Sequence, residues 1–458
     1  MPELVTYVGD PFVDTGVAVL EHQLGKPCEE FSESDLVEEG SKLLDIYSQK
    51  QWRGILTFHF PNSGWTNPTM GADKVSEFKD KVLKGFQRDT NTGRPCEYCR
   101  RPANAVVDGS VVPLMSSANS MDCGSGGRTG FAICGYCLFA IQFYPLATLK
   151  VEGKALFWWS HDRDWTFLLA GIAIHEVRRF LAASPDGTIK PRFPRSRLLT
   201  VARMAFETWR SQPDRLPLRD IIGCHTSNYR ISPEFEELRI PRELFEFWNE
   251  AASGFGPIYE TVVSSAWESR KEKSSRGKKP KNESETEWVR RNGFYESLGA
   301  AFQSEDFRHQ AGAVAKYFIR TGGASQRPGS FELACLFLER LAGMRKIRIE
   351  AIREIGDQIA ASDDKKKILE RLIVTKNPVG TLVYAQIRMQ RAGEAPLKLD
   401  TVLTAFDLLS EDDSMSKDDW LARDLIVLRV IEKAGTDIVS DLPELALEEP
   451  ELAEKGED

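Results

Sequence analysis

The sequence predicts an α+β fold over its first two-thirds, interrupted by a four-cysteine insert and followed by an all-α helical bundle. Three observations predict this class. Two CxxC pairs lie 34 residues apart. Extended apolar stretches alternate with helical ones up to about residue 270. Beyond a basic segment near residue 275, almost only helix signals remain.

The four-cysteine insert is the most specific of these features. Cys96 and Cys99 form one pair, and Cys134 and Cys137 form the other. Two such pairs supply the four sulfurs of a closed, tetrahedral, structural Zn²⁺ site. We therefore expect a zinc finger over residues 91–140, with zinc as a structural cofactor. Four ordinary buried cysteines are the alternative. A redox pair would need a CxxC that opens a helix in a βαβ unit, which the neighbouring prolines and glycines disfavour.

The N-terminal part mixes helix and strand signals. Asp14 is predicted to cap a first amphipathic helix that runs through Leu24. A second helix is expected over residues 36–47 and a third over 71–88. Between them, β-branched and aromatic residues predict a strand from Ile55 to Phe60. After the insert, residues 155–181 are expected to form a strand and then a helix, and 242–269 a further helix.

The C-terminal third carries helical periodicity throughout. The predicted helices cover residues 285–304, 306–320, 330–343, 346–361, 365–374, 379–391, 398–409 and 417–434. Short connections between them predict an antiparallel bundle. The whole chain then divides into an N-terminal α+β part (1–90), the zinc finger (91–140), a continuation of the α+β body (141–270), a basic linker (271–284), the bundle (285–440) and an acidic, disordered tail (441–458).

The net charge of −8 is unevenly distributed. Residues 441–458 hold eight acids and one lysine, so the remaining 440 residues are nearly neutral. Eight arginines fall within residues 192–230, and seven cations within 270–281. Such clusters suit contacts with nucleic-acid phosphates, although they also occur on ordinary solvated faces. We expect a cytoplasmic protein, since no secretory signal or apolar stretch long enough to span a membrane is evident.

Sequence signals for catalysis are incomplete. A His-Asn-His endonuclease also places its site between two CxxC pairs, and Asn119 fits that pattern, but Gly109 stands where the general-base histidine is required. His175-Glu176 begins like a zinc-protease motif whose second histidine is replaced by Arg179. We therefore expect no catalytic residues. A zinc-finger endonuclease and a zinc-ribbon scaffold that binds only proteins are the alternative functions.

The loop from Pro61 to Pro68 contains Asn62, Trp65 and Asn67. An asparagine amide can pair with adenine in the major groove and can also read acceptors in the minor groove. Asparagines beside prolines more commonly cap Asx turns. At this level both roles stay open.

Three features together resemble one family. They are the opening Tyr7-Val8-Gly9-Asp10-Pro11-Phe12-Val13-Asp14-Thr15-Gly16, the loop Phe60-Pro61-Asn62-Ser63-Gly64-Trp65-Thr66-Asn67-Pro68, and the two cysteine pairs. Over roughly the first 140 residues the chain is similar to the CXXC–CXXC large subunit of type I-B CRISPR Cascade complexes. The helical last third also resembles that family, whose members end in a bundle similar to Cascade small subunits.

The resemblance implies a non-catalytic subunit that recognises the protospacer-adjacent motif in double-stranded DNA and stabilises the R-loop formed by a guide RNA. The implied partners are the guide RNA, the Cascade backbone subunits, target DNA with its displaced strand, and a helicase-nuclease or transposition adaptor recruited later. It also implies a small subunit made from the chain's own C-terminal region. Met344 would start a fragment too short for the whole bundle. The residues expected to contact DNA are Asn62, Trp65, Asn67, Asn119, Arg100, Arg101, Arg128, Arg192, Arg195, Arg197, Lys278 and Lys279.

Overall fold

The computed structural model describes residues 4–115, 130–151, 154–183, 197–211, 216–228, 233–272, 287–303, 312–318, 328–407 and 418–435. The chain forms two compact units, residues 1–242 and 243–458. The first unit is α+β and carries the four clustered cysteines, whereas the described part of the second is mainly helical. The predicted α+β class with a helical C-terminal part is therefore confirmed.

The first unit contains seven α-helices and four strand pairings in the described residues. Its helices are α1 (Pro11–Leu24), α2 (Glu33–Ser48), α3 (Lys50–His59), α4 (Ala72–Lys84), α5 (Gly135–Ile141), α6 (Arg163–Ala183) and α7 (Arg197–Arg210). Its strands are β1 (Ala105–Val107), β2 (Phe131–Ile133), β3 (Leu149–Val151), β4 (Lys154–Trp159), β5 (Ile221–Ser227) and β6 (Glu234–Ile240). β1 pairs with β2, and β3-β4-β5-β6 form an antiparallel sheet in that order.

Helix α1 is the centre of this unit. Every residue from Phe12 to Glu21 is buried, because α5, α6 and β4 pack around the helix. Its N-cap is Asp10, whose carboxylate accepts from the backbone N–H groups of Phe12 and Val13 at 3.0 Å. The prediction that Asp14 caps this helix was wrong. Pro11 can occupy the first helical position, where no N–H is needed, so the helix starts four residues earlier.

Residues 55–60 are the clearest error of the sequence analysis. They were predicted as a strand, but α3 continues through His59. Trp52, Leu56 and His59 are its buried side chains, at the spacing of one helix face. Ile55 and Phe58 lie off that face and are half-buried. The helical period of burial therefore overrides the β-propensity of individual residues.

The second unit begins with α8 (Arg242–Gly254) at the unit boundary and α9 (Gly256–Ser265). The remaining elements are β7 (Trp267–Glu272), β8 (Glu287–Asn292), α10 (Gly293–Gln303), α11 (within 312–318), α12 (Ser330–Arg340), α13 (Lys346–Ala361), α14 (Lys365–Val374), α15 (Pro378–Arg391), α16 (Leu399–Ala405) and α17 (Asp418–Ala434). β7 and β8 are antiparallel partners. Residues 287–292 were predicted as helix and are a strand instead.

The unit boundary lies nearer the N-terminus than the basic linker at 271–284. Phe247 of α8 packs edge-on against Phe318 and Phe337, and Tyr259 of α9 packs against Phe294. These aromatic contacts place residues 243–270 with the second unit, although the sequence analysis grouped them with the α+β body. Most of the predicted linker (273–284) and the acidic tail at 441–458 lie outside the described residues.

Helices α13 and α17 form the tightest described contact of the bundle. Gly356 lies so close to α17 that a Cβ atom there would lie 2.6 Å from Cγ of Arg429. The Arg429 guanidinium binds Asp357 at 2.7 Å and Glu432 at 3.2 Å. The predicted helices over 346–361 and 365–374 match α13 and α14. None of the described helices combines the length and apolar character that a membrane crossing requires.

A helical glycine pair tests the packing of α1. A Cβ on Gly16 would lie 2.0 Å from the carbonyl oxygen of Ala140 in α5, whereas a Cβ on Gly54 would meet nothing within 4 Å. We expect Gly16→Ala to destabilise the protein by ~1–3 kcal/mol or more, since backbone must move. Gly54→Ala should be neutral or stabilising by about 0.5–1 kcal/mol. Chemical denaturation of both variants checks this, and equal stabilities would contradict the close approach of α1 and α5.

Candidate metal centre

The first cysteine pair lies on a tight knuckle. Pro95 and Pro102 form an isolated β-bridge that closes its base. Within it, the N–H of Cys96 donates to the Arg101 carbonyl at 2.6 Å, and the N–H of Arg100 donates to the Cys96 carbonyl at 3.0 Å. Arg100 has φ +64°, the left-handed conformation that this reversal of the chain requires. These bonds turn both thiols of the pair to one side.

The second cysteine pair opens a helix. β2 ends at Ile133, and Cys134 is the N-cap of α5, with its sulfur accepting from the N–H of Cys137 at 3.4 Å. The N–H of Glu97 donates to Ala132 at 2.9 Å, so the knuckle is hydrogen-bonded to the strand that leads into α5. The β1–β2 hairpin and this bond bring together two pairs that are far apart in sequence.

The four cysteines form one cluster. All four sulfur atoms lie within 4.8 Å of one another, and those of Cys99 and Cys134 are 3.4 Å apart. Cys96, Cys134 and Cys137 are buried, and Cys99 is half-buried. None of the four is in a disulfide. The four cysteines are thus close enough to hold one metal ion.

The donor set fits a metal ion on electrostatic grounds. Hydrogen bonds from Cys134, Cys137 and Cys96 hold the pKa of the Cys99 thiol well below its usual range. Hydrogen bonding to the other three sulfurs, together with burial, raises the pKa of the Cys137 thiol. Four buried sulfurs this close together cannot all ionise unless a cation lies between them. A divalent cation would replace the thiol protons and let all four sulfurs act as thiolates.

Two arginines border the cluster. Nε of Arg101 donates to the Cys99 sulfur at 3.2 Å, and Arg94 binds Glu97 and the Gly130 carbonyl at 3.4 and 3.1 Å. Burial lowers the pKa of the Arg101 guanidinium, but its bond to Cys99 and the charges of the other cysteines raise it by more. Arg101 was predicted to contact DNA, yet its guanidinium is engaged with the metal centre.

The loop from Pro61 to Pro68, which we call the asparagine loop, is held in place by contacts of its side chains. Nε1 of Trp65 donates to the Gln142 side chain at 3.0 Å, and its ring packs edge-on against Tyr47 and Phe78. Oδ1 of Asn67 accepts from the N–H and hydroxyl of Thr69 at 2.9 and 2.7 Å, which is an Asx turn. These contacts give Trp65 and Asn67 structural roles.

Asn62 differs from Trp65 and Asn67 of the same loop. It is exposed and has φ +58°. Arg100 is also exposed, with 73% of its side chain accessible, and lies near Glu97 at 3.8 Å. Arg197 begins α7, but its side chain lies outside the described residues. The remaining candidates for DNA contacts lie entirely outside the described residues. They are Asn119, Arg128, Arg192, Arg195, Lys278 and Lys279.

The opening motif, residues 7–16, has a structural role that its sequence does not predict. The Asp14 carboxylate accepts from the N–H groups of Val8 and Gly9 at 2.7 and 3.1 Å and from Nε1 of Trp159 at 3.1 Å. Gly9 has φ +80°, as the turn before α1 requires. A buried acid four residues after a helix-capping acid was the available signal for this role.

The described residues contain one further group of possible metal ligands besides the cysteines. Beyond the cysteines, the one described group of three or more close ligands is Glu21, Cys28 and Glu29, whose two carboxylates bind the Arg163 guanidinium. His59 is buried against the Tyr144 hydroxyl at 2.5 Å, and burial lowers its pKa to about 3. At Gly109 a Cβ would lie 2.3 Å from the Met115 carbonyl oxygen, so the fold leaves no room there for a base.

Comparison with known proteins adds no assignment, because no family model, curated protein or solved structure matches this chain.

A serine in place of Cys96 tests the centre. Cys96→Ser leaves three sulfurs, so we expect bound metal to fall from about one equivalent to a small fraction and solubility to drop. Metal analysis of the purified protein measures this. Cys335→Ala, a buried cysteine of the second unit, is the matched control and should keep its metal. Equal metal content and stability in the two variants would rule out the four-sulfur centre.

Proposed function

We propose that this chain is the non-catalytic large subunit of a type I-B CRISPR Cascade complex of the CXXC–CXXC kind, with a structural zinc ion. In this role it reads a short motif that flanks the target in double-stranded DNA, while base pairing with the guide RNA reads the target itself. One observation carries the proposal. The three sequence features on which the resemblance depends, far apart in the chain, meet around the short helix α5.

Each feature reaches α5 or its end by a specific contact. The opening motif does so through Gly16, which lies against the Ala140 carbonyl. The asparagine loop does so through Trp65, bonded to Gln142 directly after the helix. The cysteine pairs do so because Cys134 caps α5 and Cys137 lies in its first turn. Sequence features that serve one function are expected to lie close together in the fold, as these three do.

Zinc is the metal that this donor set favours. Four thiolates in a closed tetrahedral arrangement select Zn²⁺, or an iron centre, over hard cations such as Mg²⁺. A four-sulfur zinc leaves no coordination position for water or substrate, so it braces the fold and does not activate a nucleophile. The cysteine arrangement therefore supports a structural role for the metal, and Gly109 at the position of the general base disfavours the zinc-finger endonuclease.

The asparagine loop suits recognition of base edges. Three side chains anchor it. The Thr66 hydroxyl donates to the Phe60 carbonyl at 2.9 Å. Trp65 bonds to Gln142, and Asn67 accepts from Thr69. Asn62 is left exposed on this fixed support. A pre-organised asparagine amide can make a bidentate contact with adenine, or pair with acceptors in the minor groove. Phosphate contacts could come from exposed cations such as Arg100.

The helical bundle offers a surface suited to the displaced strand. Tyr384 on α15 is 38% exposed, with the guanidiniums of Arg371 and Arg388 at 4.2 and 5.9 Å from its ring centre. Ile387 is exposed one residue before Arg388. Exposed aromatics flanked by arginines are the usual elements of single-strand binding, where bases stack and cations hold phosphates.

The bundle also bears on the proposed internal small subunit. α12 packs against α17. A fragment beginning at Met344 would lack α12, whereas one beginning within residues 310–320 would keep α12–α17. That earlier start needs a codon other than that of methionine. The remaining proposed partners are the guide RNA, the backbone subunits and a helicase-nuclease or transposition adaptor.

Co-purification of untagged partners with a tagged copy of this chain tests the proposed Cascade function. With the chain tagged and expressed from its natural gene neighbourhood, we expect a repeated backbone protein, a short guide RNA and a C-terminal fragment lacking residues before about 310 to co-purify. Metal-dependent cleavage of DNA by the isolated protein would replace the proposal with the endonuclease. Recovery of protein partners alone, with no RNA or DNA binding, would replace it with the zinc-ribbon scaffold.

Asn62 and Asn67 make a matched pair of variants for motif reading. Asn62→Gly removes the amide and tolerates φ +58°, so the loop should keep its shape. We expect it to lose ~1–3 kcal/mol of discrimination between correct and incorrect flanking motifs, at unchanged thermal stability. Asn67→Ala removes the Asx turn and should lower stability and weaken binding to all flanking sequences equally. Binding of the assembled complex to a set of duplexes that differ only in the flanking motif measures both effects. Unchanged discrimination in Asn62→Gly would remove this residue from the reading site.

A further inference from the structure

Arg101 contacts three different parts of the first unit. Its Nε donates to the sulfur of Cys99 at 3.2 Å, and its Nη1 donates to the carbonyl oxygen of Leu4 at 2.7 Å. The guanidinium plane also lies over the ring of Tyr136, 5.2 Å from its centre. One side chain thus connects the first cysteine pair, the helix that carries the second pair, and the N-terminal segment.

The contact with Cys99 has the properties of a second-sphere metal interaction. Four thiolates around Zn²⁺ carry a formal charge of about −2, which an adjacent guanidinium partly neutralises. An N–H···S bond also holds the sulfur in the orientation that the metal needs. Cys99 is the least buried of the four sulfurs, so it is the ligand through which the centre is most easily opened.

The contact with Leu4 reaches a part of the chain that the cysteines do not touch directly. Val5 is buried next to the bonded carbonyl, with 1% of its surface exposed. Three residues further, the N–H groups of Val8 and Gly9 bind Asp14 of α1. Displacement of the Arg101 guanidinium would therefore release the start of the segment that leads into α1.

We propose that Arg101 is a positioning residue of the metal centre, through which the docking of residues 4–9 depends on metal occupancy. This inference rests on the zinc centre of the proposed function. Metal loss removes the charge and geometry that orient Cys99, so the guanidinium loses its sulfur partner and the Leu4 carbonyl loses its donor. The knuckle and the N-terminal segment then loosen together.

Arg100 provides a control of the same charge on the same knuckle. Its side chain is 73% exposed, and its charged partner is Glu97 at 3.8 Å. Arg100→Met and Arg101→Met each remove one positive charge, at adjacent positions. A difference between the two variants in zinc release is therefore due to the contacts of Arg101 and not to net charge. Arg101→Lys keeps the charge but lacks the planar fork that serves sulfur and carbonyl together.

The first measurement is the rate at which a coloured chelator takes zinc from the full chain. We expect Arg101→Met to release zinc about 10-fold to 100-fold faster than the unaltered protein, as for other second-sphere changes, and Arg101→Lys to restore only part of the difference. Arg100→Met should stay within about twofold, because an exposed charge is screened by solvent. Equal release rates for Arg100→Met and Arg101→Met would overturn the inference.

The second measurement is hydrogen exchange at the amides of residues 5–9. Chelation of the unaltered protein should raise exchange there, and Arg101→Lys with zinc still bound should show raised exchange already. If neither chelation nor Arg101→Lys changes the exchange rate at these residues, the inference about Arg101 is wrong but the zinc centre is not contradicted. If the unaltered protein binds no zinc at all, the metal of the proposed function fails first, which separates the two claims.

Discussion

The convergence of four cysteine sulfurs on one point is the constraint on which the rest of the first unit depends. Four thiolates within 4.8 Å of one another repel strongly in a buried setting. Without a cation, protons must remain on some of these sulfurs. One divalent ion would remove the conflict and join the knuckle to α5.

Helix α5 transmits this constraint to the body of the unit. It has only seven residues, too few to be stable by itself. Cys134 and Cys137 hold its start, and Gly135 lies so close to Phe86 that a Cβ would lie 2.2 Å from the Phe86 nitrogen. On its other side it contacts α1, the most buried helix of the unit. A metal ion bound at one end of α5 would therefore also stabilise the neighbours of α1, including the loop anchored at Gln142.

The sequence allowed the clustering of the four cysteines and much of the bundle to be predicted, because both leave local patterns. CxxC spacing reports a knuckle directly, and the apolar period over 346–361 reports α13. The errors arose where tertiary packing decides. Residues 55–60 have β-propensity but bury one helix face, and residues 287–292 follow a helical pattern but pair with β7. Arg101 and Trp65 were predicted as DNA contacts since charge and exposed aromatics suggest binding, while only the fold shows that a sulfur and Gln142 engage them. Asp14 was mistaken for the cap because Asp10, next to a proline, gave the same local signal.

X-ray absorption at the zinc K-edge of the purified full-length protein tests the central claim most directly. We expect one metal ion with four sulfur neighbours at about 2.3 Å and no nitrogen or oxygen neighbour. A first sphere containing nitrogen or oxygen, or a folded protein that holds no metal while its melting temperature ignores chelators, would contradict it.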